Sequence, residues 1–225
     1  MFLLVLVLVA AVPAYLLGSV NGAIIASQLI YRKDIRKFGS GNPGLTNFFR
    51  VFGKSGALLV VLIDAVKTIA PVIFGGWLIW YHYPDMAVSE GWLFSRFYEV
   101  SLFGMITTGF FVVLGHSFPV FYGFKGGRGV MAVGTFLFVV DWRLALIGWG
   151  IFILLILLTR YVSLGSVLGA ATLPFTQLYI LGIGGYWEFA ATFATVALLI
   201  LRHSANIKRL LKGEESKLRL KKSKN

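Results

Sequence analysis

Residues 2–30 read FLLVLVLVAAVPAYLLGSVNGAIIASQLI, and the chain then meets Arg32, Lys33, Arg36 and Lys37. The stretch carries no charge and exceeds the about 20 residues that a helix needs to cross a bilayer. Ala10-Ala11-Val12-Pro13-Ala14 resembles the small-residue cleavage site of a secretory leader. No Lys or Arg precedes the apolar run, however, and the run continues well past that site. It therefore reads as a first transmembrane helix with its N-terminus outside and basic residues at its inner end.

Further apolar stretches fall near residues 56–81, 98–119, 130–140, 144–159, 164–182 and 187–201. The expected fold is an all-α integral membrane protein of seven transmembrane helices, some short or broken, with the C-terminus in the cytoplasm. Residues 1–207 form the membrane domain and 208–225 a basic cytoplasmic tail. The fourth stretch is too short to cross alone: about 12 residues make only ~18 Å of helix. The loop before it must dip into the membrane plane, or a water-filled cleft must reach it.

Composition agrees. The chain is 58% apolar with 20 phenylalanines, its mean hydropathy is +0.83, and only 13% of its residues are charged. Cysteine is absent, which excludes disulfides and thiolate metal sites. The net charge of +12 does not point to nucleic acid, because it sits at helix ends and suits an acidic lipid surface. With the N-terminus outside, 18 of the 21 Lys and Arg fall in the inner segments; only Arg96 and Arg143 lie outside, and Lys67 lies within the second helix. Tryptophans 77, 80, 92, 142 and 187 gather near the outer interface as an aromatic belt.

The same assignment places three polar clusters on the inner side. The first runs from Gly39 to Arg50 and holds Ser40, Asn42, Thr46, Asn47 and Arg50. The second runs from Gly115-His116 to Lys125-Gly126-Gly127-Arg128-Gly129. The third is Arg202-His203-Ser204-Ala205-Asn206-Ile207-Lys208-Arg209. Glycines let backbone amides approach an oxyanion, a helix start adds partial positive charge, and Lys125 and Arg128 complete a cradle for phosphate. The plain alternative for that loop is flexibility with topogenic charge. The first cluster reads equally as a well-capped reverse turn. His203 and Asn206, with Lys208 or Arg209, share a helix face; a basic stretch bound to anionic lipid is the other reading. His116 reads as structural more readily than as catalytic. Asp64 and Lys67, three apart inside the second helix, read as a structural ion pair. Asn21 and Gln28 read as helix–helix hydrogen bonders. No metal site and no cofactor are expected, and no Gly-x-Ser-x-Gly, His-Glu-x-x-His, His-x-x-x-x-Asp or paired-carboxylate pattern is present.

These segments, in order, resemble the bacterial acyl-phosphate-dependent glycerol-3-phosphate acyltransferases, the PlsY family. The first motif of that family matches Gly39 to Gly53 and the second begins at Gly115. A Ser-Leu-x-Ser turn appears as Ser163-Leu164-Gly165-Ser166, and the last motif runs from Arg202 to Glu215. The second lysine of the family's Lys-Gly-Gly-Lys loop is Arg128 here, and its Ala-Thr is Met131-Ala132. An insertion-like outer loop lies around Tyr83–Phe97. The resemblance implies acyl transfer from acyl phosphate to the sn-1 hydroxyl of glycerol 3-phosphate at the inner face of a bacterial cell membrane. It implies Ser40, Arg50, Arg128, His203 and Asn206 as the core site. Asn42, Thr46, Asn47, Lys125, Gly126, Gly127, Gly129, Arg209 and Ser163 or Ser166 would bind substrate. Membrane lipid is the remaining partner; no obligate protein partner and no nucleic acid are expected. A carrier of phosphate or a phospho-metabolite is the rival reading, although no internal repeat is evident.

Overall fold

The computed structural model describes residues 2–83, 93–181 and 186–218. Among the described residues every regular element is helical. The opening apolar run forms α1 (Phe2–Gly18) and α2 (Gly22–Tyr31), which together still make one span of 30 residues. The break at Ser19–Asn21 has a local cause. Asn21 adopts an extended backbone, and its side chain accepts from the Ile24 amide at 3.0 Å, starting a new helix. Its Nδ2 donates to the Pro43 carbonyl at 3.0 Å. Asn21 thus caps one helix and anchors the first polar loop, where a helix–helix bond was expected. Gln28, expected in the same role, is exposed.

The first polar cluster holds a helix where the sequence suggested a turn. α3 (Leu45–Phe52) buries Phe48 against Ile35, Ala23 and Val60. Phe52 stacks on Tyr31 with centroids 4.1 Å apart. Leu45, Phe48 and Phe52 recur at helical spacing and anchor one face, which turns Thr46 and Arg50, four apart, to another.

α4 (Ala57–His82) and α5 (Leu93–Ser117) follow. Residues 84–92, most of the expected outer loop, lie outside the described residues, as does Trp92. Trp77, Trp142 and Trp187 are exposed, as an aromatic belt requires. α5 carries the most buried span and packs against α1, α4, α6 and α10. Small residues permit this closeness: a Cβ at Gly104 would strike the Gly75 backbone, and one at Gly18 would strike Val112.

α6 (Val130–Val140), α7 (Trp142–Thr159), α8 (Val162–Ala171), α9 (Leu173–Leu181), α10 (Tyr186–Arg202) and α11 (Ser204–Leu211) complete the chain. α8 and α9 form one span, Val162–Leu181. Among the described residues five stretches are long and apolar enough to cross a membrane, or six if α10 and α11, bent by 57°, count as one. α6 is the short apolar helix expected from the sequence; its 11 residues reach about 16 Å. The expected tail boundary at residue 207 falls inside α11.

Candidate active site

A cleft of about 700 Å³ opens where the polar clusters meet. Its volume lies within the usual range for small-molecule sites. Ser40, Asn42, Thr46, Asn47 and Arg50 line it from the first cluster, Arg128 and Gly129 from the glycine loop, and Ser163 and Ser166 from the start of α8. His203, Asn206 and Arg209 line it from the α10–α11 bend. All five residues of the expected core therefore share one wall-to-wall space, although more than 160 positions separate Ser40 from Asn206.

Ser40, His203 and Asn206 are held by identifiable contacts. The Ser40 amide donates to Asn47 Oδ1 at 2.9 Å, and Asn47 Nδ2 donates to the Phe38 carbonyl at 3.0 Å. Asn47 was expected to bind substrate; its amide is committed to bracing the Ser40 loop. His203 is 2% exposed, and its Nδ1 lies 2.8 Å from the Leu199 carbonyl. A carbonyl needs a donor, so Nδ1 carries the hydrogen and Nε2 of the neutral ring is an acceptor.

Asn206 shows how the α11 side is oriented. Its Nδ2 donates to Glu215 Oε1 at 2.6 Å, and Ser163 Oγ donates to the same oxygen at 2.8 Å. Arg209 Nε donates to Glu215 Oε2 at 2.8 Å. Burial favours the protonated form of Glu215, but the Asn206, Ser163 and Arg209 donors outweigh it and hold the carboxyl below its usual 4.5. With the amide nitrogen thus engaged, Asn206 Oδ1 is buried in the cleft wall without a partner. Such an acceptor is costly unless a ligand donates to it.

The glycine loop differs from expectation. Lys125, Gly126 and Gly127 do not line the cleft. The Gly127 amide donates to the His116 carbonyl at 3.0 Å. The Gly126 and Gly127 carbonyls accept from Arg202, at 2.9 Å to Nη2 and 3.2 Å to Nε. Arg202 lies 5.0 Å over the Phe118 ring. The two glycines are required for close packing, since a Cβ at either would strike His116. Their part is to carry Arg128 into the cleft. Burial lowers the Arg128 pKa to about 10; Glu215 opposes that fall, and Arg209, Arg202 and Arg50 add to it. It stays cationic at neutral pH. Among the described residues neither Arg50 nor Arg128 has a carboxylate within ion-pair distance, so the cleft keeps unneutralised positive charge for an anion.

Two carboxylates reach the cleft, Asp64 and Glu215. Asp64 forms the expected buried pair with Lys67, 2.8 Å apart. Sequence reasoning gave no role to Glu215 or Arg202, although the final motif contains both.

The family model for glycerol-3-phosphate acyltransferase matches residues 8–213. The chain belongs to the glycerol-3-phosphate acyltransferase family. It is 37% identical over 214 residues to the glycerol-3-phosphate acyltransferase of Staphylococcus saprophyticus, covering 95% of this chain and 98% of that one. It is 37% identical over 212 residues to that of Ralstonia pickettii, covering 94% of each. Among solved structures, the glycerol 3-phosphate form of PlsY (YgiH), an integral membrane glycerol 3-phosphate acyltransferase, superposes with a TM-score of 0.78 at 31% identity over 95% and 96% of the two chains. Its lysophosphatidic acid form gives 0.76 at 30% identity over 95% of each. The chain is an acyltransferase and, with its apolar spans, an integral membrane protein. The carrier reading finds no support among these relatives.

Proposed function

We propose that this chain moves an acyl group from acyl phosphate to the sn-1 hydroxyl of glycerol 3-phosphate, yielding lysophosphatidic acid and inorganic phosphate. The observation that carries the reading is the meeting of Ser40, Arg50, Arg128, His203 and Asn206 in one cationic cleft. A second, apolar pocket adjoins it between α6, α7 and α8, and Val130, Trp149, Phe152 and Ser166 line both. That pocket, about 40 Å³ as it stands, marks the side from which a lipid tail enters from the bilayer, while a small dianion fits the cleft.

Acyl phosphate is already activated, so the reaction needs no covalent enzyme intermediate. The glycerol hydroxyl oxygen bonds to the carbonyl carbon, the carbon–oxygen bond to phosphate breaks, and the hydroxyl proton ends on a phosphate oxygen. His203 Nε2 is the acceptor that holds the hydroxyl against the carbonyl before its proton moves to the phosphate oxygen, and Asn206 stands beside it in the cleft wall. Arg128 and Arg50 meet the charge on the departing and the incoming phosphate.

Charge asymmetry supports a cytoplasmic face for the cleft, an outside N-terminus and an inside C-terminus in a bacterial cell membrane. In that topology α6 completes a seventh, shallow crossing, and the basic end of α11 faces anionic lipid, with Glu215 turned back to the site. Purified protein in detergent or lipid mesophase should release phosphate only when given acyl phosphate and glycerol 3-phosphate together. Uptake of a phosphorylated solute into vesicles, without acyl transfer, would overturn the reading.

Two variants test the first cluster. Ser40→Ala should lower turnover about 10-fold, as loss of one hydrogen bond to a charged group does, with an unchanged thermal melt; an unchanged rate removes Ser40 from the site. Arg50→Ala should raise the KM for glycerol 3-phosphate by roughly 10–100-fold, the cost of a lost charge-assisted contact. An unmoved KM would show that Arg50 does not clamp that substrate.

A further inference from the structure

Beneath the glycine loop lies a buried cluster that the reaction scheme leaves unused. Lys67 on α4 is 5% exposed, Asp64 1% and His116 on α5 3%. Lys67 Nζ lies 2.8 Å from Asp64 Oδ1 and 2.9 Å from His116 Nδ1, and it donates to the Val20 carbonyl at the α1–α2 break. Asp64 Oδ1 also accepts from the Gly22 amide at 3.2 Å.

An ammonium has three hydrogens and no acceptor. Paired with Asp64 it is charged, and its three hydrogens meet three acceptors. His116 Nδ1 is therefore an acceptor, and the ring hydrogen sits on Nε2. Nε2 makes no hydrogen bond among the described residues. The Gly127 backbone lies so close to it that a Cβ there would strike Nε2. His116 lines the cleft together with Arg128 and Gly129. Tying helices together does not require a buried ion pair, since apolar side chains do as well. An ionisable cluster inside membrane helices points to function.

We propose that Lys67 is a positioning residue that holds His116 as a neutral Nε2–H donor, and that this N–H binds a phosphate oxygen in the Arg128 end of the cleft. The proposal rests on the reading that the cleft takes phosphorylated reactants. His116 and His203 then present opposite tautomers to one site: a donor for the phosphate and an acceptor for the hydroxyl.

The variants are His116→Asn and His116→Gln. Asn keeps an acceptor for Lys67 and the backbone carbonyl for Gly127, but it does not reach the Nε2 position. Gln reaches it with an amide donor. Inorganic phosphate binding, followed by 31P NMR, should weaken about 10–100-fold in His116→Asn, the worth of one hydrogen bond to a charged group. His116→Gln should recover most of it. The KM of one phosphorylated substrate should rise by the same factor, and the substrate affected identifies which phosphate is held. The chain has only three histidines, so 15N spectra of the labelled imidazoles should show one ring bare at Nδ1 and protonated at Nε2 that vanishes in His116→Asn.

Phosphate affinity unchanged in His116→Asn, or a His116 ring protonated at Nδ1 near neutral pH, would overturn the proposal. A wild-type protein that neither binds phosphate nor releases it from acyl phosphate would overturn instead the reading of the cleft on which it rests.

Discussion

Arg128→Gln should lower kcat by about 10²–10³-fold, the usual cost of removing one preorganised group that stabilises developing charge. Arg128 is the cation that the buried glycine loop delivers to the cleft, and Gly126 and Gly127 keep it there by packing on His116. It has no carboxylate partner among the described residues, so its loss leaves no orphaned anion and should not lower the thermal melt. Arg128→Lys restores the charge of the family's second lysine but not the forked geometry; its activity should lie within about 10-fold of the parent, on that argument. Phosphate release under saturating substrates measures both. A glutamine variant within a few-fold of wild type would remove Arg128 from the chemistry.

His203→Asn should lower kcat by about 10²-fold or more, the cost of losing the alignment of an attacking group. An asparagine amide overlays Nδ1 and can still donate to the Leu199 carbonyl, 2.8 Å from Nδ1 in the native ring. The bend between α10 and α11 is then kept, and only the Nε2 acceptor is lost. The KM for glycerol 3-phosphate should change little if the acceptor acts on the hydroxyl in the transition state, because such an interaction shows in kcat. Full activity in a folded His203→Asn protein would mean that Nε2 touches nothing that reacts.

The membrane helices were legible because hydropathy reports them directly. The short α6 could be read from the distance between Gly129 and Asp141. The residues that meet in the cleft were legible because each lies in a motif whose polar and glycine content has no use in a lipid-facing helix. Contacts between distant segments were not. The break before α2 depends on Asn21 finding the Pro43 carbonyl, 22 residues away. Lys125 looked like half of a phosphate cradle from adjacency alone, but Arg202, 76 residues beyond Gly126, takes the loop's carbonyls and turns that part of it away. Glu215 was hard to assign because a carboxylate should repel an anionic substrate; its use is to orient Asn206 and Ser163. α3 was missed because its apolar face, Leu45, Phe48 and Phe52, is embedded in a run rich in Gly, Asn and Thr.

The Arg202 guanidinium fastens the loop that bears Arg128 to the residue immediately preceding His203. The leaving-group grip and the nucleophile alignment proposed for Arg128 and His203 therefore hang on a single hinge pin. Sliding between them would break both of these hydrogen bonds, which favours passage of the polar reactant past the opposite rim, where Ser40 and Arg50 stand open to solvent.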